Sequence, residues 1–579
     1  MSTRDDDLRI RPGRVRDGGG RASGKARSFI AKALAATEKA GGLHRGRGER
    51  GSGAFGRGRA ASFAAKRGLG SRSRGVVIKA RVVRHGGKAA PLGPHVAYLK
   101  REGVSRDGEA GCLFDADAEQ VDGKAFAERC DGDRHHFRFI VSPEDAAELA
   151  DLKAYTRDLM ADMSRDLGTR LDWVAVEHWN TEHPHIHFLV RGRSDDGSDL
   201  VIGRDYISQG LRARAEQLAT LELGPRSEQE IRRGLERQID SERFTPLDRM
   251  LTRDAARNGG VVDLRPGPDP AREPDRQLLV GRARKLERLG LATPAGSARW
   301  NLSEQAEPTL RALGERGDII KTMHRALGRR GIEPGGEIAM HAEAEVPSIT
   351  GRLVERGLHD ELTGLAYVVV DGVDGRAHHL RLPNLDATGD GRPGAIVEVR
   401  SFEDRTGTMR AAVAVRSDTT LQAQVTADGA TWLDRHLVGK STVAIADRGF
   451  GQDVRTALQD RTEHLVGEGL AKRQGKHVVF ARDLLDTLRR RELDAVGRSI
   501  AAETGLPSRA AATGDQVSGV YSRRLTTASG RFAMLDDGTG FQLVPWSPSL
   551  EKQLGQHVSG VATPGGVDWS FGRKKGLSL

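Results

Sequence analysis

The sequence predicts an α+β fold: an antiparallel sheet with packed helices, followed by duplicated winged-helix plus small β modules. Three observations predict it. Between residues 75 and 230, runs that alternate with period two are interleaved with runs of helical period, and strands and helices mixed in that order build a layered sheet. Between residues 278 and 538, one order of elements occurs twice. The positive charge is set apart from both, since residues 1–75 hold 19 Lys/Arg against 6 Asp/Glu while the whole 579-residue chain has a net charge of only +11.

The elements follow in order. Val76–Val83 is rich in β-branched residues and predicts the first strand. Pro94 to Glu102 predicts a short helix, with Pro in its first turn and Gly103 after its end. Residues 104–133, rich in Gly and Asp, predict a loop or hairpin. His136–Val141 is the second strand. Ser142-Pro143-Glu144-Asp145 then carries the signals of a helix start, and Leu149, Leu152, Tyr155, Leu159 and Met163 continue at helical spacing up to Gly168. Leu171–His178 and His185–Arg191 predict two strands joined by a short polar loop, and a basic helix runs from about Ser208 to Leu221.

The implied organisation is a disordered basic tail over 1–74, a sheet-and-helix domain over 75–230 and a partly helical connector over 231–275 with a Pro-rich end. Winged helices over 276–345 and 421–500 alternate with β modules over 346–420 and 515–579. The repeat pairs Leu278–Leu289, Gly290-Leu291-Ala292 and Ala298–Leu302 with Val454–Leu465, Gly469-Leu470-Ala471 and His477–Phe480. Helix, Gly turn, hairpin and helix is a winged-helix pattern. Gly351 and Tyr367–Gly372 correspond in turn to Gly519 and Phe532–Gly538.

Composition excludes several classes. No run approaches the ~18 apolar residues of a membrane span, and the charged N-terminus has no apolar stretch behind it. Two cysteines, Cys112 and Cys130, build neither a zinc finger nor an iron–sulfur cluster, and reduced thiols in the cytoplasm are the expectation. The tail would bind any polyanion through counterion release, or else serve as a plain solubilising segment.

The motif with chemistry is His178-Trp179-Asn180-Thr181-Glu182-His183-Pro184-His185-Ile186-His187. In a strand His185 and His187 share a face, and a hairpin over 179–184 sets His178 opposite His185. Three imidazoles then converge as ligands for a divalent ion and leave open positions for a phosphate oxygen. His183 shares the parity of His185 and stands as a fourth ligand or proton acceptor. A nucleophile is sought among five tyrosines. Tyr155 reads as core, and Tyr367 and Tyr521 as strand residues of the repeats. Tyr98 lies on the short helix beside Lys100 and Arg101, which are placed to hold phosphate and to lower the phenol pKa.

Tyr98, the strand–helix unit 136–168 and the histidine motif together resemble the relaxases of conjugative and mobilisable plasmids, of the superfamily named for two histidines flanking a hydrophobic residue. The kinship looks closest to the T-DNA border nuclease type, and residues up to Trp569-Ser570-Phe571-Gly572-Arg573 resemble the C-terminal extension of a bacterial relaxase subfamily. The resemblance implies that Tyr98 attacks the scissile phosphate to form a 5′-phosphotyrosine, and that His178, His185 and His187 hold Mn²⁺ or Mg²⁺, with zinc open. It implies single-stranded DNA at a transfer origin as substrate, and accessory origin-binding proteins and a type IV secretion coupling protein as partners. Many relatives have an acid where this chain has Asn180, so the general base stays open among His183, Glu182 and a metal-bound hydroxide. Two other readings compete: a rolling-circle replication initiator that uses Tyr206, and a non-catalytic winged-helix regulator. A zinc hydrolase would explain the imidazoles but not the tail. Trp179 could stack on a base or simply pack at the hairpin end.

Overall fold

The computed structural model describes residues 57–58, 72–85, 92–181, 183–268, 273–332, 337–342, 346–404, 407–439, 444–475, 477–563 and 565–570. The chain divides into two units, residues 1–57 and 58–579. The expected basic tail falls almost wholly outside the described residues. Its last part, from Arg72, belongs to the folded body: the Arg74 amide donates to Thr220 Oγ1 and its guanidinium to Asp145 and the Gly224 carbonyl.

The fold is mixed α+β with antiparallel sheets. The first sheet has strands β1 (Val76–Arg84), β2 (His135–Pro143), β3 (Trp173–His178) and β4 (His185–Arg191) in the order β1-β2-β4-β3, every pair antiparallel. Alternation decides its two faces. Phe137, Phe139, Val141, Ile186, Phe188 and Val190 point to one side, under helices α3 (Leu152–Leu167) and α4 (Leu211–Leu223). Val174, Val176 and Leu189 point to the other, under α1 (Leu92–Leu99) and α2 (Gly123–Cys130).

Some local expectations are corrected. Ser142-Pro143 does not start a helix: Val76 and Val77 pair with Pro143 and Ser142, so β2 runs to its proline. Asp151 is the cap instead, accepting from the Lys153 and Ala154 amides. The short helix ends at Leu99 rather than Glu102. The stretch expected to be loop holds α2, capped by Asp122. The connector is helical in part, as expected: α5 (Glu228–Ile239) and α6 (Pro246–Arg257) pack on α7 (Glu273–Arg288).

Downstream, the chain builds the same architecture twice. In the first copy, α6 and α7 precede a hairpin of β6 (Ala292–Pro294) and β7 (Arg299–Leu302), with β5 (Val261–Asp263) completing the order β5-β7-β6. A long helix, α8 (Ala306–Gly328), leads to a sheet of β8 (Ile338–His341), β9 (Ile349–Asp360), β10 (Leu365–Gly372), β11 (Ala377–Leu382), β12 (Ile396–Glu403) and β13 (Met409–Ser417), ordered β13-β12-β9-β10-β11-β8. The second copy runs through α9 (Leu421–Val425), α10 (Trp432–Val438), α11 (Gly449–Gly467), the hairpin β14 (Ala471–Gln474) and β15 (His477–Phe480), and long helix α12 (Leu484–Thr504). Its sheet joins β16 (Ser508–Arg509), β17 (Gln516–Thr527), β18 (Gly530–Asp536), β19 (Phe541–Pro545), β20 (His557–Thr563) and β21 (Gly566–Ser570) in the order β16-β19-β18-β17-β20-β21. Strand for strand the order is the same, down to a first short strand lying parallel to the third strand of the meander.

A buried ion pair recurs with it. Fully buried Arg282 of α7 grips Asp248 of α6 at 2.7 and 2.8 Å, and fully buried Arg461 of α11 grips Asp434 of α10 at 2.8 and 2.9 Å. Each acid also accepts from a capping threonine, Thr245 or Thr431, and each arginine donates to loop carbonyls, so no charge or donor is stranded. Both arginines stand eight residues before a turn glycine, Gly290 or Gly469, at φ 71° and 72°. The helices therefore match as Leu286 with Leu465, and the pairing of Leu278 with Val454 read from sequence is three residues out of register. Gly351 and Gly519 match as expected: a Cβ on either would stand 2.3 or 2.8 Å from the carbonyl of Asp371 or Asp536 on the neighbouring strand.

Candidate metal centre

The pleat sends His178, His185 and His187 to the α1 side of the first sheet, and His178 pairs directly with His185 in the antiparallel register. The three rings gather with centroids 4.4–5.4 Å apart. Backbone carbonyls set two tautomers. His178 Nε2 lies 2.9 Å from the Leu99 carbonyl, one of the orphan acceptors at the end of α1, and His185 Nδ1 lies 3.0 Å from the His183 carbonyl. Each proton is used outward, so His178 Nδ1 and His185 Nε2 turn lone pairs inward. His185 Nε2 is 3.1 Å from His187 Nε2, and buried His178 Nδ1 has no hydrogen-bond partner. A buried acceptor without a partner beside two further imidazole nitrogens is an arrangement that a cation would satisfy.

A fourth group completes the set. Glu361, in the turn between β9 and β10, places a carboxylate oxygen 2.6 Å from His187 Nε2 and 3.6 Å from His185 Nε2, with its other oxygen 3.9 Å from His178 Nδ1. The four donor atoms lie within 4.8 Å of one another. Donors about 2 Å from a common ion stand at most about 4 Å apart, and the separations of 2.6, 3.1, 3.6 and 3.9 Å within the set meet that, so the residues could hold a divalent metal. Burial, then the His187 charge, pushes the His178 imidazole down to about 2, and burial likewise lowers His187. Burial by itself would raise the Glu361 carboxyl, but the histidines around it hold it well below the usual carboxylate range. At neutral pH these shifts leave His178 and His187 neutral and Glu361 an anion.

Tyr98 borders this cluster. The Arg101 guanidinium sits 4.2 Å over its ring and 3.6 Å from Glu361, and the Leu358 amide of β9 donates to its hydroxyl at 2.9 Å. The expectation of a lowered phenol pKa is corrected. Burial pushes it up to about 12, and Arg101 offsets only part of that, while Lys100 is exposed.

The other expected residues lie elsewhere. The His183 ring is exposed on the loop outside the cluster; its carbonyl, not its imidazole, serves the site. Parity failed there because residues 179–181 and 183–184 lie outside the pleated strands. Glu182 is outside the described residues. Asn180 lines the cleft beside the centre, and its carbonyl accepts from Arg329 at 3.4 Å. Tyr206 is fully buried, its hydroxyl donating to Asp166 as an anchor for the start of α4. Trp179 packs on the core and carries Arg106 at 4.9 Å over its ring. Nothing local to Asp360-Glu361-Leu362-Thr363-Gly364 distinguishes it from an ordinary hairpin turn, which is why Glu361 escaped the sequence reading.

From the centre a cleft of about 820 Å³ runs between the first sheet and α8, with Lys79, Arg243, Arg311, Arg325, Arg329 and Arg356 along it. Among the described residues no helix is long and apolar enough to cross a membrane. Residues 279–408 and 400–578 each match the model of a family described as a protein of unknown function (DUF3363), and the chain, just over half of it so matched, belongs to that family. The family thus matches twice, as the architecture repeats twice. No curated protein and no solved structure matches the chain.

Proposed function

We propose that this protein is a relaxase, a metal-dependent single-strand DNA endonuclease and strand transferase that acts at a plasmid transfer origin. The observation that carries the reading is the convergence of His178, His185 and His187 at the end of the helix that bears Tyr98, with the Leu99 carbonyl tying the two together. His178 Nδ1, His185 Nε2 and His187 Nε2 would hold Mn²⁺, Mg²⁺ or zinc. When bound, that ion would withdraw charge from the scissile phosphate.

Tyr98 is the nucleophile in this reading. Its phenolic oxygen bonds to phosphorus as the bond from phosphorus to the 3′ oxygen breaks. The phenol proton passes to a base, and the departing 3′ oxygen takes up a proton. The products are a 5′-phosphotyrosine and a free 3′-hydroxyl. Arg101, stacked on the ring, stabilises the developing phenolate that burial disfavours. The cleft interleaves Lys79, Arg325 and Arg356 with Glu102, Glu315, Asp318 and Glu355, and its basic side chains are proposed to contact the strand.

The helix–hairpin units are proposed as winged helices that hold duplex beside the nick; the order β5-β7-β6 supports this in the first copy. Accessory origin-binding proteins, a secretion coupling protein and a cytoplasmic site of action belong to the same proposal. The test uses 3′-labelled single-stranded oligonucleotides from plasmid origins with Mn²⁺. Wild type should give an adduct that survives denaturation, and Tyr98→Phe should bind DNA without forming it. An adduct kept by Tyr98→Phe and lost in Tyr206→Phe would assign the protein to replication initiators instead.

A further inference from the structure

The β9–β10 hairpin belongs to the downstream half, yet its tip touches every candidate catalytic element. Glu361 reaches the three imidazoles, the Leu358 amide holds the Tyr98 hydroxyl, Arg101 bridges to Glu361, and Arg81 donates to the Leu362 carbonyl at 3.1 Å. The hairpin is shaped for this. Its register shifts where Leu365 pairs with Asp360 but Ala366 with Leu358, which bulges His359 out and re-aims the turn. It leaves its sheet on the β9 side, since β12 pairs with β9 only from Ile349 to Arg352, while β11 follows β10 out to Ala366.

A carboxylate carries the single negative charge and paired acceptor oxygens of a DNA phosphodiester. Three imidazoles make a centre with open positions, and Glu361 fills the one that faces Tyr98 and Arg101. Were Glu361 a permanent ligand, it would stand where a phosphate oxygen has to enter. The contacts of Glu361 itself are polar, and an incoming polyanion can replace them in kind, while the Tyr98 ring also packs against the apolar core of the hairpin's sheet.

We propose that the β9–β10 hairpin is an internal competitor for the nuclease centre: Glu361 takes the place of the scissile phosphate and Leu358 engages the nucleophile, so DNA must displace the hairpin before it is cut. This rests on the relaxase reading for what is displaced and cut, but not for the competition itself. A site open only a tenth of the time binds its ligand about tenfold more weakly, which sets the size of the effect.

The experiment loads the full chain with Co²⁺ and follows the visible absorption of the ion during titration with inorganic phosphate. Glu361→Gln keeps the side-chain volume and removes the charge, and Glu361→Ala removes the donor. Both should bind phosphate about tenfold tighter than wild type if the hairpin holds the site nine-tenths of the time, and nicking of an origin oligonucleotide at saturating metal should speed up. Phosphate affinity unchanged or weakened in both variants overturns the proposal. So does nicking that collapses in Glu361→Gln while phosphate affinity stays put, which would make Glu361 part of the machinery. Tighter phosphate binding with no adduct from any form supports the competition and sinks the relaxase reading alone.

Discussion

At the scale of single residues, protonation and ligation govern the centre. His178 and His187 are neutral when folded, with pKa values pressed below the ordinary 6.5 first by burial and then by a neighbouring ring, His187 for His178 and His185 for His187, while Glu361 and Arg101 face them with opposite signs of influence. The unfolded chain takes up their protons as pH falls below about 6.5, and the folded chain does not. Stability should thus be fully present above about pH 6.5 and fall below it, by up to about 1.4 kcal/mol per pH unit for each such histidine. Urea midpoints measured in chelator across that range test this; a midpoint that stays level between about pH 7.5 and 5.5 would refute it. Replacing His178, His185 or His187 singly by Ala should weaken Mn²⁺ binding by at least about tenfold in calorimetric titration, and His183→Ala should leave it unchanged. The convergence of these three histidines was legible in the sequence because a strand fixes parity over a few residues. His183 was misread because parity ends where the turn begins.

At the scale of elements, the buried arginine pairs decide how the helices of each copy meet. Arg282→Ala would leave Asp248 charged and buried and free several loop carbonyls, with a destabilisation of about 3–5 kcal/mol. Arg461→Ala should fall in the same range because its surroundings repeat those of Arg282. Chemical denaturation measures both, and a loss under about 1 kcal/mol in either would mean that water reaches the stranded acid. The strands and most helices were legible from periodicity. The start of α3 was not, because Ser142-Pro143-Glu144-Asp145 satisfies the local rules of a cap while β1 offers those residues a ladder. Local preference of a few tenths to about 1 kcal/mol yields to a completed sheet edge.

At the scale of the molecule, the centre draws on residues from Tyr98 to Glu361, so metal should brace the two halves together. Saturating Mn²⁺ at a hundred times its Kd should add about 2.7 kcal/mol, read as a higher Tm of the transition that contains the downstream half. A metal-dependent shift confined to the first sheet and its helices would contradict the bridging role of Glu361. Deleting residues 1–71 should flatten the salt dependence of DNA binding by about 0.7–0.9 in slope for each phosphate the tail neutralises, with cognate preference kept. The duplication was legible as a pattern, but the meeting of its first copy with the histidines was not, since no local signal in the sequence reports a contact across so many residues. The duplication also has a genetic side. The turn between β17 and β18 stands where the Glu361 turn stands in the first copy, yet it serves its own copy: Glu492 accepts from the Ala528 and Ser529 amides, and Ser529 Oγ accepts from the Ala430 amide. One paralogous turn is retained for bracing and the other has been released to reach outside its copy. Alleles at Ala528 and Ser529 should therefore behave as temperature-sensitive folding lesions, whereas alleles at Glu361 should accumulate in the absence of metal as wild type does and differ in how the centre meets metal, phosphate or DNA.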